Sequence, residues 1–201
     1  MRIRSALAGS LLLLLAIVLA HAASAFDANQ TFARGTYVLS AEGSYGEQFN
    51  LEGFSFQSDI KFWNAGIRGS ILPFGPAGPG LLRGAFEVGL EPLYQKYLDP
   101  RPAFWAGLIA VFRYHFLSLG GFVPYVEAGG GPGGTDLRVP EIDSSFSFVL
   151  WGGVGASVFL TDAAAMYAGY RYEHNSNGNI HTPNRGWESH VAVFGMSYYF
   201  R

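Results

Sequence analysis

The chain contains no cysteine. That absence excludes disulfides, thiol nucleophiles and thiolate metal sites together, and it fits passage through an oxidising compartment. Charge is scarce: 14% of the 201 residues are Asp, Glu, Lys or Arg, and the formal net charge is −2. Nothing in that balance offers the basic face by which proteins usually grip nucleic acid. Long apolar runs are also missing. Beyond the first 25 residues none reaches the ~18 residues of a spanning helix. Internal repeats, low-complexity tracts and signs of a second domain are absent as well.

What is present begins with a leader. Arg2 and Arg4 precede an apolar run from Leu11 to Ala20, and Ala23-Ser24-Ala25 supplies an A-x-A cleavage site. The run is short for a membrane anchor and no stop-transfer charges follow it. Residues 1–25 therefore read as a cleaved secretory signal peptide, and residues 26–201 as one exported domain. Removing the two leader arginines takes the net charge from −2 to −4 (−2 − 2). The domain is rich in the residues of sheets and turns, with 27 Gly, 17 Phe and 11 Tyr in the whole chain. Aromatics interleaved with glycine suit a barrel whose outer face meets lipid. A soluble β-sandwich is the competing all-β reading.

Alternation supports the barrel. In Ala103–Phe116 one face reads Phe104, Ala106, Leu108, Ala110, Phe112, Tyr114, Phe116, and the other Trp105, Gly107, Ile109, Val111, Arg113, His115. Ser145–Val158 and Arg83–Gln95 alternate in the same way, as a strand with two different environments must. Eight strands are expected, at roughly 36–46, 59–73, 82–95, 103–116, 122–132, 144–159, 164–174 and 187–200. Short connections (74–81, 117–121, 160–163) alternate with longer polar ones (47–58, 133–143, 175–186). An antiparallel up-and-down outer-membrane barrel has short periplasmic turns and longer outer loops, so 175–186 is assigned to the outside and both termini to the periplasm. The end of the chain, Tyr198-Tyr199-Phe200-Arg201, is similar to the aromatic assembly signal of such barrels, with Arg201 added after the Phe. Arg113, His115, Arg171, Glu173, Glu87, Glu91 and Glu127 share the inward parity. In an eight-stranded barrel, whose interior side chains just fill, they are expected to pair with one another; a proton or solute path is the rival.

The stretch Tyr170–His190 carries the chemistry. His174 and Ser176 are two residues apart, so on an extended strand they share a face. If the hairpin pairs residue 174 with 188, Glu188 joins them on the lipid-facing side. Ionisable groups there are costly unless they pair or sit near an interface. A serine hydroxyl needs a neighbouring base to become a nucleophile. An imidazole can serve as that base, and a carboxylate can orient the imidazole. Ser176, His174 and Glu188 can fill those roles in that order. From spacing alone, His-x-Ser is weak evidence and an ordinary structural or loop reading is favoured. Pro183-Asn184-Arg185-Gly186 reads as a turn. His190 shares the outward parity, either lining this region or simply lying at the interface, and His181 has no assigned role. A metal site is not expected, because no carboxylate-rich ligand set accompanies the histidines.

The run His174-Asn175-Ser176-Asn177, then Pro183-Asn184, Gly186 and Glu188-Ser189, resembles the catalytic signature of the PagL family of outer-membrane lipid A 3-O-deacylases. The resemblance is tight over about twenty residues. It implies an outer-membrane serine esterase acting on the lipid A of lipopolysaccharide, with no cofactor. It places the nucleophile on Ser176, the base on His174 and the orienting acid on Glu188. Asn177 becomes a candidate oxyanion donor, against a plain loop residue bonded to its own backbone. The acyl chains would lie along the outer wall beside Met166, Tyr170, Phe194 and Tyr198. The rival functions are a non-enzymatic envelope barrel and an acyltransferase using the same three residues.

Overall fold

Alternating sequences close into a barrel because lipid offers no hydrogen bonds, so every strand edge in a membrane must be paired. The computed structural model describes residues 26–49 and 57–201. The expected signal peptide at 1–25 and residues 50–56 of the first long connection lie outside the described residues. Among the described residues, eight long strands form the wall: β1 (Tyr37–Gln48), β2 (Lys61–Ile71), β3 (Gly84–Asp99), β4 (Ala103–Phe116), β5 (Phe122–Thr135), β8 (Phe146–Phe159), β9 (Ala164–Ser176) and β10 (Trp187–Phe200). A two-residue-per-arm hairpin, β6 (Arg138–Val139) and β7 (Ile142–Asp143), stands between β5 and β8. The long strands pair antiparallel with their neighbours in the chain, and β1 pairs with β10 to close the ring. A short helix α1 (Ala28–Thr31) precedes β1, and the Asp27 side chain accepts from the N–H groups of Asn29 and Gln30 at its start.

The expected parities hold. On β4 Trp105, Ile109, Val111, Arg113 and His115 point inward and are buried, while Phe104, Leu108 and Phe112 are exposed on the outside. The outer wall is apolar, with Leu39, Ile67, Leu90, Leu150 and Phe194 exposed. Such a surface is stable where lipid covers it.

The lumen is filled in three layers. At the turn end, Phe32 inserts beside Phe159, Tyr199, Leu72 and Leu117. At the long-loop end, Ile60, Phe62, Tyr97, Trp105 and Trp187 meet Leu137, Val139 and Ile142 of the β6–β7 hairpin. Between these apolar layers lies the charged set. Arg113 Nη2 is 2.7 Å from Glu127 Oε2 and Arg171 Nε is 2.8 Å from Glu127 Oε1, while Arg171 also holds Glu42. His115 Nε2 lies 2.7 Å from Glu87 Oε2, and Gln95 donates to Glu173 at 3.0 Å. The expected inward charges are all buried. Arg68 and Glu42 belong to the same network and were not anticipated. Buried ions are tolerable only with such mutual pairing.

Several boundaries moved, among them the ends of β3, β5 and β9. β3 runs to Asp99 and leaves a three-residue connection (100–102) before β4. β9 extends to Ser176, because β8 supplies a partner as far as Phe148.

Candidate functional site

The site is built on the β9–β10 hairpin at the long-loop end. In its ladder Glu188 lies directly opposite His174, and Trp187 opposite Asn175. Directly opposed residues on one face have Cβ atoms within ~5.5 Å, close enough for side chains to meet. They do: His174 Nδ1 is 3.0 Å from Glu188 Oε1. Both groups are on the outer wall and partly shielded, their side chains 36% and 21% exposed. A carboxylate on Nδ1 favours the tautomer with its proton there, which leaves Nε2 as the basic nitrogen.

Ser176 follows on the same outward face, opposite Phe148 of β8. Among the described residues its hydroxyl has no hydrogen-bond partner, so the serine and the imidazole share a face without being joined. Catalytic hydrogen bonds often tighten only when substrate is bound.

Above the imidazole sits Gly186. Its φ is +72°, in the left-handed region that favours glycine. A Cβ at this position would come 3.0 Å from His174 Cε1, 3.5 Å from Nε2 and 3.0 Å from the Asn175 carbonyl oxygen. Glycine is favoured by conformation, and a side chain here would be tight against the ring and the β9 backbone.

The loop after Ser176 is ordered by asparagines. The Asn177 N–H donates to Asn184 Oδ1 at 2.7 Å, and Asn177 Nδ2 donates to the His181 carbonyl at 2.9 Å. Asn184 Nδ2 in turn donates to Asn179 Oδ1 at 2.9 Å. Asn177 is fully buried. One of its two amide hydrogens faces His181, and its backbone N–H faces Asn184. His181 is exposed. His190 lies on the outer wall, where its Nδ1 meets the Tyr170 hydroxyl and its ring stacks on Phe49 with centroids 4.3 Å apart. Met166, Tyr170, Phe194 and Tyr198 are all exposed on the same wall.

Glu141, which the sequence reading passed over, is tied to this hairpin. Its carbonyl oxygen accepts the N–H groups of Arg185 (3.0 Å) and Gly186 (3.3 Å). A single Glu in a Pro-containing loop carries no periodicity and no motif, so only the folded chain reveals it.

An imidazole paired with a carboxylate, next to a free hydroxyl, on a greasy wall is an arrangement suited to acyl transfer from a lipid ester. Comparison with known proteins points the same way. The family described as lipid A 3-O-deacylase (PagL) matches residues 77–197. Among solved structures, the crystal structure of the outer membrane enzyme PagL is similar with a TM-score of 0.57 at 20% identity, covering 79% of this chain and 97% of that one. Neisserial surface protein A (NspA) is similar with a TM-score of 0.55 at 20% identity, covering 83% of this chain and 100% of that one. At these identities the structural likeness is one of fold. No curated protein matches the chain significantly.

Proposed function

Because the chain belongs to the lipid A 3-O-deacylase (PagL) family, we propose that it is an outer-membrane serine esterase that removes the ester-linked 3-O-acyl chain from lipid A. Ser176 is the nucleophile, His174 the general base and Glu188 the group that orients it. The observation that carries the reading is the 3.0 Å contact of His174 Nδ1 with Glu188 on the outer wall, with Ser176 on the same face.

The acyl chains of the substrate lie along the wall beside Met166, Tyr170, Phe194 and Tyr198, so diffusion in the leaflet brings the ester to the hairpin. The Ser176 Oγ attacks the ester carbonyl carbon, and His174 Nε2 takes its proton. The tetrahedral intermediate collapses as His174 returns that proton to the leaving sugar oxygen, which departs as an alcohol. Water, deprotonated by His174, then cleaves the acyl-serine and releases the fatty acid. Asn177 is the candidate oxyanion donor by family resemblance, although its side chain is fully buried in the loop. Its bonds to His181 and Asn184 also support a role in holding the loop in shape. The protein reaches its membrane by export and loss of residues 1–25.

The test is expression in a Gram-negative host followed by mass spectrometry of lipid A. The wild type is expected to yield lipid A lacking the 3-O-acyl chain. Ser176→Ala is expected to lose roughly 10³-fold or more of that activity, as removal of a serine nucleophile commonly does. Equal deacylation by the variant, or none by the wild type, overturns the reading.

A further inference from the structure

Glu141 occupies the tip of the β6–β7 hairpin, a connection between strands, yet it is fully buried. A buried carboxylate is costly unless donors surround it. Here Oε1 accepts from the Ser58 N–H at 2.9 Å and from Gln48 Nε2 at 3.0 Å, and it lies 3.2 Å from Arg185 Nη2. Oε2 accepts from the Ser58 hydroxyl at 2.6 Å. One side chain thus ties the end of β1 and the start of the second strand's approach to the loop that follows Ser176.

The backbone of the same residue completes the connection. Its carbonyl takes the N–H groups of both Arg185 and Gly186. Next to it, Ile142 bridges to Asn184, and the Asp143 N–H donates to the Pro183 carbonyl at 3.4 Å. Gly186 is the residue at which a Cβ would come within 3.0 Å of His174 Cε1 and 3.5 Å of Nε2. A chain of hydrogen bonds therefore runs from the Glu141 carboxylate contacts through its own carbonyl to Gly186, which leaves no more than close-contact room for a side chain beside the His174 ring.

We propose that Glu141 is a positioning residue for the deacylation reaction, holding Gly186 beside His174 so that the imidazole keeps the orientation set by its contact with Glu188. The inference rests on the triad reading above and deepens it. The imidazole has one fixed end, Nδ1 on Glu188. A ring held at one nitrogen can still swing about that contact. Gly186 restricts the other edge, and Gly186 is a loop residue that stays put only if something grips it. The grip is the pair of N–H bonds to Glu141, and the Ser58, Gln48 and Arg185 contacts keep Glu141 itself in place. A misplacement on the order of 1 Å in a catalytic group can lower a rate roughly 10²-fold.

The experiment uses the full-length protein purified in detergent, with lipopolysaccharide as substrate. It compares wild type, Ser176→Ala, Glu141→Ala and Glu141→Gln. Glu141→Ala is expected to lower kcat by roughly 10- to 100-fold with KM changed less than about threefold, because the wall that binds acyl chains is untouched. Glu141→Gln, which keeps an acceptor for the Ser58 N–H and Gln48, is expected to recover most of that loss. A residue that served only the stability of the cap would leave kcat per folded molecule alone. Hydrogen exchange supplies a second reading, with the Gly186 amide of Glu141→Ala expected to exchange at least about tenfold faster than in wild type while the β9 and β10 interiors stay protected. Wild-type kcat in Glu141→Ala, a loss confined to KM, or unchanged Gly186 exchange overturns the proposal. When wild type is active and Ser176→Ala is not, those results strike Glu141 alone. A wild type as inactive as Ser176→Ala strikes the triad, and this inference falls with it.

Discussion

At the scale of single residues, Gly186 is a backbone position whose conformation and close surroundings suit glycine. Its φ of +72° would strain any other residue, by about 1–2 kcal/mol. The added methyl of Gly186→Ala would also meet the Asn175 carbonyl and the His174 ring at 3.0 Å. The carbonyl is backbone of β9 and cannot move aside, so the imidazole or the loop must. Deacylation by Gly186→Ala is expected to fall by roughly 10-fold or more, with the thermal unfolding of the barrel hardly changed, measured by lipid A mass spectrometry beside a melting curve. Full activity in this variant would show that the edge of His174 needs no such close neighbour. The residue scale was also where reading the chain worked best for the site. The parity of residues 174, 176 and 188 placed all three on one face, and the register Glu188 opposite His174 is the one the hairpin adopts. Asn177 was different. Its partners, His181 and Asn184, are set by the path of a loop, and no periodicity encodes a loop.

At the scale of elements, the β6–β7 hairpin couples the cap of the lumen to the site on the wall. Its Leu137, Val139 and Ile142 flank apolar residues inside the barrel, while Glu141 reaches to Ser58, Gln48 and Arg185. Burial pushes the Glu141 carboxyl upward, but the hydrogen bonds from Ser58 and Gln48 outweigh it and hold the group below the usual carboxylate range. A depressed value in the folded protein means that the carboxylate stabilises the fold above its unfolded value. That stabilisation is lost only as pH falls through the lower, folded one. The latch should therefore hold without change between about pH 5 and 8 and open only in stronger acid. Hydrogen exchange of residues 177–186, corrected for the intrinsic rate at each pH, should show constant protection across that window. Loop opening within it would mean that Glu141 is not held as described. In the sequence the hairpin is indistinguishable from plain loop, because two residues per arm are too few to show alternation. β9 was read two residues short for a related reason, since its last pairs depend on how far β8 extends beside it.

At the scale of the whole molecule, side chains of the described residues pack both ends of the lumen and its middle. Phe32 and Phe159 pack one end, Trp105 and Trp187 the other, and the ion pairs of Arg68, Arg113 and Arg171 fill the space between. Reconstituted in a planar bilayer, the protein is expected to give no stepwise conductance. Regular channel openings would contradict this packing and revive the solute-path reading of the inward charges. Chemistry on the wall needs no open lumen, so the filled interior and the exposed site belong to one design. The ion pairs lie behind the wall, and in the β9–β10 ladder of that wall His174 stands opposite Glu188.

Strand faces, the closed all-β architecture and the outward grouping of His174, Ser176 and Glu188 follow from the chain alone, because a period of two forces side chains onto alternate sides and lipid forces the apolar side out. Arg68 and Glu42 joining the buried network, the hairpin that caps the lumen and the grip of Glu141 on Gly186 were decided only by the tertiary structure. These depend on which residues meet after the ring closes, across distances along the chain that no local pattern records.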